Sequence, residues 1–206
     1  MTSVNSERRL RSDGARSRTA ILQAAAELAT VNGLDGLSIG QLADHVGMSK
    51  SGLYAHFGSK EELQLATIEK AQAIFEREVV GPALAAREGL ERVCELCERF
   101  LSYVERDVFP GGCFFASAAA ELDTRQGPVK DRIAGVHAGW TELVVDALRE
   151  AQAAGDVGPG VDLEQLSFKL NALLLQANNT WVLHGDSRVF GWARHGIRTL
   201  VEDAQT

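Results

Sequence analysis

Lys50, Ser51, Gly52, Tyr54 and His56 lie within one short stretch and combine an ammonium group, two hydroxyls, an imidazole and a bare backbone position. On a helix, Leu53 and Phe57 are four residues apart and share the inner face, so the polar set is turned outward. Side chains of this kind hydrogen-bond to base edges and phosphate oxygens, and a glycine among them leaves room for close approach. Ser38, Ser49 and Lys60 stand where helices are expected to begin. Helix N-termini offer free N–H groups and the positive end of the dipole, which suit phosphate. Arg18 adds a cation upstream.

A second set mixes aromatic rings with sparse polar groups: Phe100, Tyr103, Phe114, Phe115, His137, Trp140, Gln176, Asn178 and Trp181. Small-molecule pockets have this mostly apolar character with a few polar anchors, and the mixture suits an aromatic or lipophilic effector. A lone His137 between apolar neighbours reads equally as a core histidine. Cys94 and Cys97, three apart on one helical face, raise a thiol switch or a metal site, although a helical C-x-x-C without a second ligand pair is a weak zinc pattern. With Cys113 they read as small buried hydrophobes, and no metal or cofactor is expected. The chain has no nucleophile elbow, glycine-rich phosphate loop or metal-ligand pair of recognisable spacing, so an enzyme is not expected.

The elements that must position these residues are all helical. Ile21, Ala25, Leu28 and Ala29 recur at helical spacing from Arg16 until Asn32-Gly33 offers a C-cap. Ser38 with Gln41, and Ser59 with Glu62, have capping-box spacing, and Ser49 can cap the helix that carries Leu53 and Phe57. Two short helices joined by a turn at Gly47 have the form of a helix-turn-helix. The helix from Ser59 is expected to run to about Val80, before Gly81-Pro82. Beyond it, periodic segments predict helices over 90–104, 113–122, 129–148, 162–184 and 189–201, with short connections as in an antiparallel bundle. Leu166, Leu170, Leu173, Leu174 and Ala177 on one, and Phe190, Trp192, Ile197 and Leu200 on the other, are the expected contact with a second chain; they serve equally as core within one chain. A helix-turn-helix of this size reads a half-site, and a second copy about 34 Å along the duplex implies a homodimer.

The 206 residues are 45% hydrophobic and 24% charged, the balance of a globular protein. No run approaches the length of a membrane span, the polar N-terminus does not resemble a signal peptide, and the cytoplasm is the expected location. Residues 1–60 hold seven Lys and Arg against five Asp and Glu; their net +2 within a total of −7 leaves −9 for the remainder. A mildly basic head on an acidic body fits nucleic acid as a partner.

The stretch from Arg18 to Leu65 resembles the DNA-binding domain of the tetracycline-repressor-like family of bacterial regulators. The matching residues are Ile21-Leu22-Gln23-Ala24-Ala25, Gly33 through Ile39, Ala43, Gly47, Ser49-Lys50, Leu53-Tyr54, His56-Phe57 and Ser59 through Leu63. The segment from Gly111-Gly112-Cys113 to Ala120-Glu121-Leu122 is similar to one branch of the family's C-terminal domain. The resemblance implies phosphate contacts from Tyr54, His56, Lys60 and Ser38, and base reading at Lys50 and Ser51, with Gly52 beside them. Residues 1–15, polar with Arg8, Arg9 and Arg11 and few apolar side chains, read as a flexible basic arm. Beyond it the resemblance implies an all-α protein, with an N-terminal three-helix helix-turn-helix domain over 16–62 and a larger helical-bundle ligand-binding and dimerisation domain over 63–206. The expected activity is sequence-specific transcription regulation, with repression from a palindromic operator that a small effector relieves.

Overall fold

Three serines decide where the reading elements begin. Ser38 Oγ accepts from Gln41 N at 3.2 Å, Ser49 Oγ from Gly52 N at 3.1 Å and Ser59 Oγ from Glu62 N at 3.1 Å. They open α2 (Ile39–Val46), α3 (Lys50–Phe57) and α4 (Lys60–Phe75). Each side-chain oxygen satisfies one of the amides that a helix start leaves without an internal partner. Gly47, at φ 68°, closes α2 in the left-handed region, a conformation that an L side chain resists. The structure is a computed structural model that describes the backbone of residues 3–205 and the side chains of residues 17–205.

Ahead of these, α1 (Ser3–Asn32) begins well before the start expected at Arg16, so the stretch read as an arm continues the helix. Glu7, Arg8, Arg9, Leu10 and Arg11 are good helix formers, and no proline stops propagation from the packed part. Apolar spacing marks only the portion that packs. The side chains of Arg8, Arg9 and Arg11 lie outside those described.

The helix from Ser59 likewise passes its expected end. A π turn, Glu76–Val80, follows α4, and α5 (Gly81–Leu84) continues through Pro82. Proline has no N–H for the ladder and its ring crowds the carbonyl four residues back; a widened turn, with Gly81 N bonded to Glu76 O, absorbs both. The body is completed by α6 (Leu90–Glu105), α7 (Phe114–Leu122), α8 (Pro128–Ala154), α9 (Leu163–His184) and α10 (Arg188–Ala204). Among the described residues there is no strand.

One continuous apolar core joins head to body, from Ile21, Leu42, Leu53 and Phe57 through Leu63 and Ile68 to Leu96, Leu148 and Phe190. α1 packs on α4 and α7, and α9 lies beside α10 against α6 and α8. Of the residues expected to meet a second chain, Leu166, Leu170, Leu174, Ala177, Phe190 and Ile197 are buried within this one. The apolar side chains that α9 and α10 leave exposed are Phe168, Leu175, Val182, Leu183 and Trp192. Trp192 is the one residue common to both sets.

Candidate functional site

α3 is held from behind by Leu53 and Phe57, which are 0% and 3% exposed. That packing leaves Lys50, Ser51 and Tyr54 exposed and His56 partly so, the outward face expected for them. The Ser49 and Ser51 hydroxyls are 3.2 Å apart. Lys50 lies over the first turn of α2, where a Cβ on Gly40 would stand 3.4 Å from its Cε, so that glycine accommodates the lysine stem. A Cβ on Gly52 would meet Ser49 Oγ at 3.1 Å, which makes this glycine a packing position as well as an open one. Ser38 is spent on its cap, and its hydroxyl also donates to Gln41 Oε1 at 3.1 Å.

The two flanking cations are already placed by the protein. Arg18 lies over the Phe57 ring, 5.2 Å from its centroid, which ties α1 to the end of α3. Lys60 Nζ donates to Asp35 O at 2.5 Å and to Asp35 Oδ1 at 3.1 Å. Its hydrogen bond and charge, with the Arg125 charge beside it, hold the Asp35 carboxyl below the usual carboxylate range against a small burial effect. Lys60 is thereby held at the edge of the head against the Asp35 turn.

The body encloses a cavity of about 540 Å³, within the range of small-molecule sites. Four of the expected residues line it: Phe100, Phe115, His137 and Trp140. Tyr103 and Phe114 do not; both are about 1% exposed and pack against Phe109, 6.2 and 6.1 Å away between ring centres. The Tyr103 hydroxyl has no hydrogen-bond partner among the described residues. Gln176 faces away and bonds Thr180, while Trp181 donates to Asp107 at 2.9 Å and lies tilted against Phe190, 5.5 Å between ring centres. Asn178 is used internally, its Oδ1 accepting from Cys113 N at 2.8 Å.

Residues that the sequence reading missed complete the walls, notably Phe75, Thr141, Glu164, Phe168 and Asn171. Phe75 is the last residue of α4 and sets its ring edge-on to Phe100, Tyr103, Phe115 and Trp140 at 5.4 to 6.3 Å. The polar groups present are largely partnered by the wall itself. Trp140 Nε1 donates to Asn171 Oδ1 at 2.6 Å, and His137 Nε2 lies 3.3 Å from Phe115 O. An occupant therefore meets aromatic faces first and hydrogen-bonding atoms second.

Cys113 lines this cavity, and burial pushes its thiol up to about 11; Cys97, also buried, is pushed up to about 12. Among the described residues no three His, Cys, Asp or Glu side chains converge as a metal cluster would require. Because the thiolate is the reactive form, a maleimide at mildly alkaline pH is expected to modify the folded chain at the exposed Cys94 alone, and the other two after denaturation. Peptide mapping that finds Cys113 labelled as fast as Cys94 in the folded protein would contradict this.

Two family descriptions match the chain: "Bacterial regulatory proteins, tetR family" over residues 21–67, and "Tetracyclin repressor-like, C-terminal domain" over 89–197. The HTH-type transcriptional repressor ComR of Escherichia coli is 26% identical over 167 residues, covering 76% of this chain and 75% of that protein. The HTH-type transcriptional regulator UidR of E. coli is 29% identical over 155 residues, covering 73% and 74%. The crystal structure of a TetR transcriptional regulator from Chloroflexus aurantiacus superposes with a TM-score of 0.84 at 27% identity, covering 93% of this chain and 96% of that one.

Proposed function

The chain belongs to the tetR family of bacterial regulatory proteins, and from that premise we propose that it is a repressor that grips a two-fold symmetric operator as a homodimer and leaves it when a small lipophilic molecule enters the cavity. It is a DNA-binding transcription regulator, not an enzyme. Among the described residues no helix is long and apolar enough to cross a membrane, and the DNA it reads puts its place of work in the bacterial cytoplasm. The reading head occupies residues 16–62 and the sensing and pairing unit 63–206.

One observation carries the effector reading. α4 begins at the head with Lys60 and ends at Phe75, which is a cavity wall, so one helix spans both sites. A guest that displaces Phe75 moves the helix that holds the head, and two heads at the wrong separation cannot both occupy their half-sites. Repression as the direction of control agrees with the name of ComR. The exposed apolar face of α9 and α10 supplies the surface for pairing.

Selection of duplexes from a random pool tests the reading. An enriched site with two-fold symmetry is expected; no enrichment over competitor DNA at moderate salt would refute it. Lipophilic compounds that raise the melting temperature are expected to weaken binding to the selected duplex as well. If free and compound-bound dimers show the same spacing between heads, the α4 mechanism fails.

Within the interface, Tyr54→Phe and Lys60→Ala are expected to weaken binding to all duplexes. The lysine change should lower the slope of log affinity against log salt by about one unit. Lys50 or Ser51 substitutions should instead alter which bases are enriched. Equal losses on the selected and on random duplexes for those two would remove their assignment to base reading.

A further inference from the structure

The turn between α1 and α2 is gripped by a side chain from the body. Leu34 N–H donates to Glu121 Oε2 at 2.6 Å and Asp35 N–H to Glu121 Oε1 at 2.8 Å, so one carboxylate takes two successive amides. Charge-assisted bonds of this length are roughly twice as strong as neutral ones. Gly33, just before the turn, stands at φ 82°, and a Cβ there would lie 2.7 Å from Glu121 Oε1. The absence of a side chain at 33 is therefore what admits the carboxylate.

Glu121 is in the last turn of α7, whose first turn forms the cavity wall with Phe115 and Ala116. Six residues separate Phe115 from Glu121, about 9 Å along a helix at ~1.5 Å per residue. Over so short a length a helix moves as a rigid rod, so a guest that pushes its first turn moves the carboxylate at its last. The gripped turn is held from its other side by α4, through Gln64 Nε2 to Leu34 O at 2.9 Å and through Lys60 to Asp35. The turn is thus joined to the cavity wall along two helices, α4 and α7.

We propose that Glu121 is a positioning residue through which the α7 wall of the cavity acts on the reading head, beside the α4 route, by way of the Leu34–Asp35 turn. This rests on the reading of the cavity as an effector site. α4 carries the head, and Glu121 fixes where that head sits relative to the cavity wall. Without Glu121 a filled cavity still displaces α7, but the two amides are released and only the exposed Arg125 guanidinium, 3.1 Å from Asp35 Oδ2, still joins the end of α7 to the turn.

A cavity-filling side chain serves as the probe, since it needs no known effector. Ala116→Phe on α7 and Thr141→Phe on α8 fill the space from two walls, each in the full chain and each combined with Glu121→Ala or Glu121→Gln. Alone, the fillers are expected to weaken binding to the selected duplex by about tenfold, a typical coupling between sites. In the Glu121→Ala background, where only the α4 route is intact, the same fillers should weaken binding by no more than about threefold, and Glu121→Gln, which keeps an acceptor for one amide, should fall between. A residue that merely supports the fold would lower the melting temperature and leave the filler effect intact. Equal filler effects with and without Glu121, in chains whose melting shows them folded, would overturn the proposal while the effector reading stands. Fillers that leave DNA binding unchanged in the otherwise unaltered chain would overturn both.

Discussion

A chain carrying Phe57→Ala is expected to fold its C-terminal helices and lose its reading head. Phe57 is 3% exposed and, with Leu53, is the buried anchor of an eight-residue helix that no local propensity would hold in isolation. Truncation of a buried phenylalanine costs about 3–5 kcal/mol, because the transfer energy of the ring is lost and the cavity it leaves collapses only partly. The Arg18 guanidinium, 5.2 Å from the ring centre, loses its support as well. A loss of this size is comparable with the whole margin of a small folded unit, about 5 kcal/mol at the lower end. Binding to the selected duplex should therefore fall by more than about 100-fold, while most of the helical circular dichroism remains. Affinity within twofold of the unaltered chain would mean that α3 is not anchored in this way.

Gly111→Ala is the second change expected to have a large effect, and it acts at the seam between head and body. A Cβ at position 111 would stand 2.0 Å from Thr30 O and 2.5 Å from Thr30 C, backbone atoms near the end of α1. Gly111 N–H also donates to Thr30 Oγ1 at 3.1 Å, so the loop before α7 lies flush on α1. Neither backbone can yield without moving a helix, which puts the cost at about 3 kcal/mol, the upper end of ordinary overpacking. For a chain of this length that lowers the melting temperature by roughly 6–12 °C. Gly160→Ala is the control, since a Cβ there meets nothing within 4 Å among the described residues. Equal shifts for the two variants would show that the seam tolerates the methyl group.

The head was legible because its determinants are local. Ser38, Ser49 and Ser59 each act on an amide three residues ahead, and Leu53 and Phe57 are one turn apart, so a short window contains both cause and effect. The cavity was half legible for a physical reason: helical spacing marks a side chain as inward-facing without telling whether it meets another side chain or empty space. Tyr103 and Phe100 have the same sequence signature, yet Phe100 lines the cavity and Tyr103 packs on Phe109 and Phe75. Phe75 reads in the sequence as one more member of the apolar stripe of α4, although it edges four rings. Pro82 read as a stop because its missing N–H forbids an α turn, and the π turn before it avoids that restriction. Glu121 lies 86 and 87 residues from the amides it holds, a separation that periodicity in one sequence does not encode.

The outer wall of the cavity has a consequence for how the protein must be assayed. Phe168 and Leu175, one heptad apart on α9, line the cavity and are also 73% and 43% exposed on the face left for pairing. On the proposed reading of that face and of the cavity, occupancy and subunit association draw on the same two side chains, and mass action links them in both directions. The small molecule's apparent dissociation constant must drift as the protein is diluted through its own monomer–dimer equilibrium. Titrations at micromolar and nanomolar protein will disagree, and the gap between them measures the linkage.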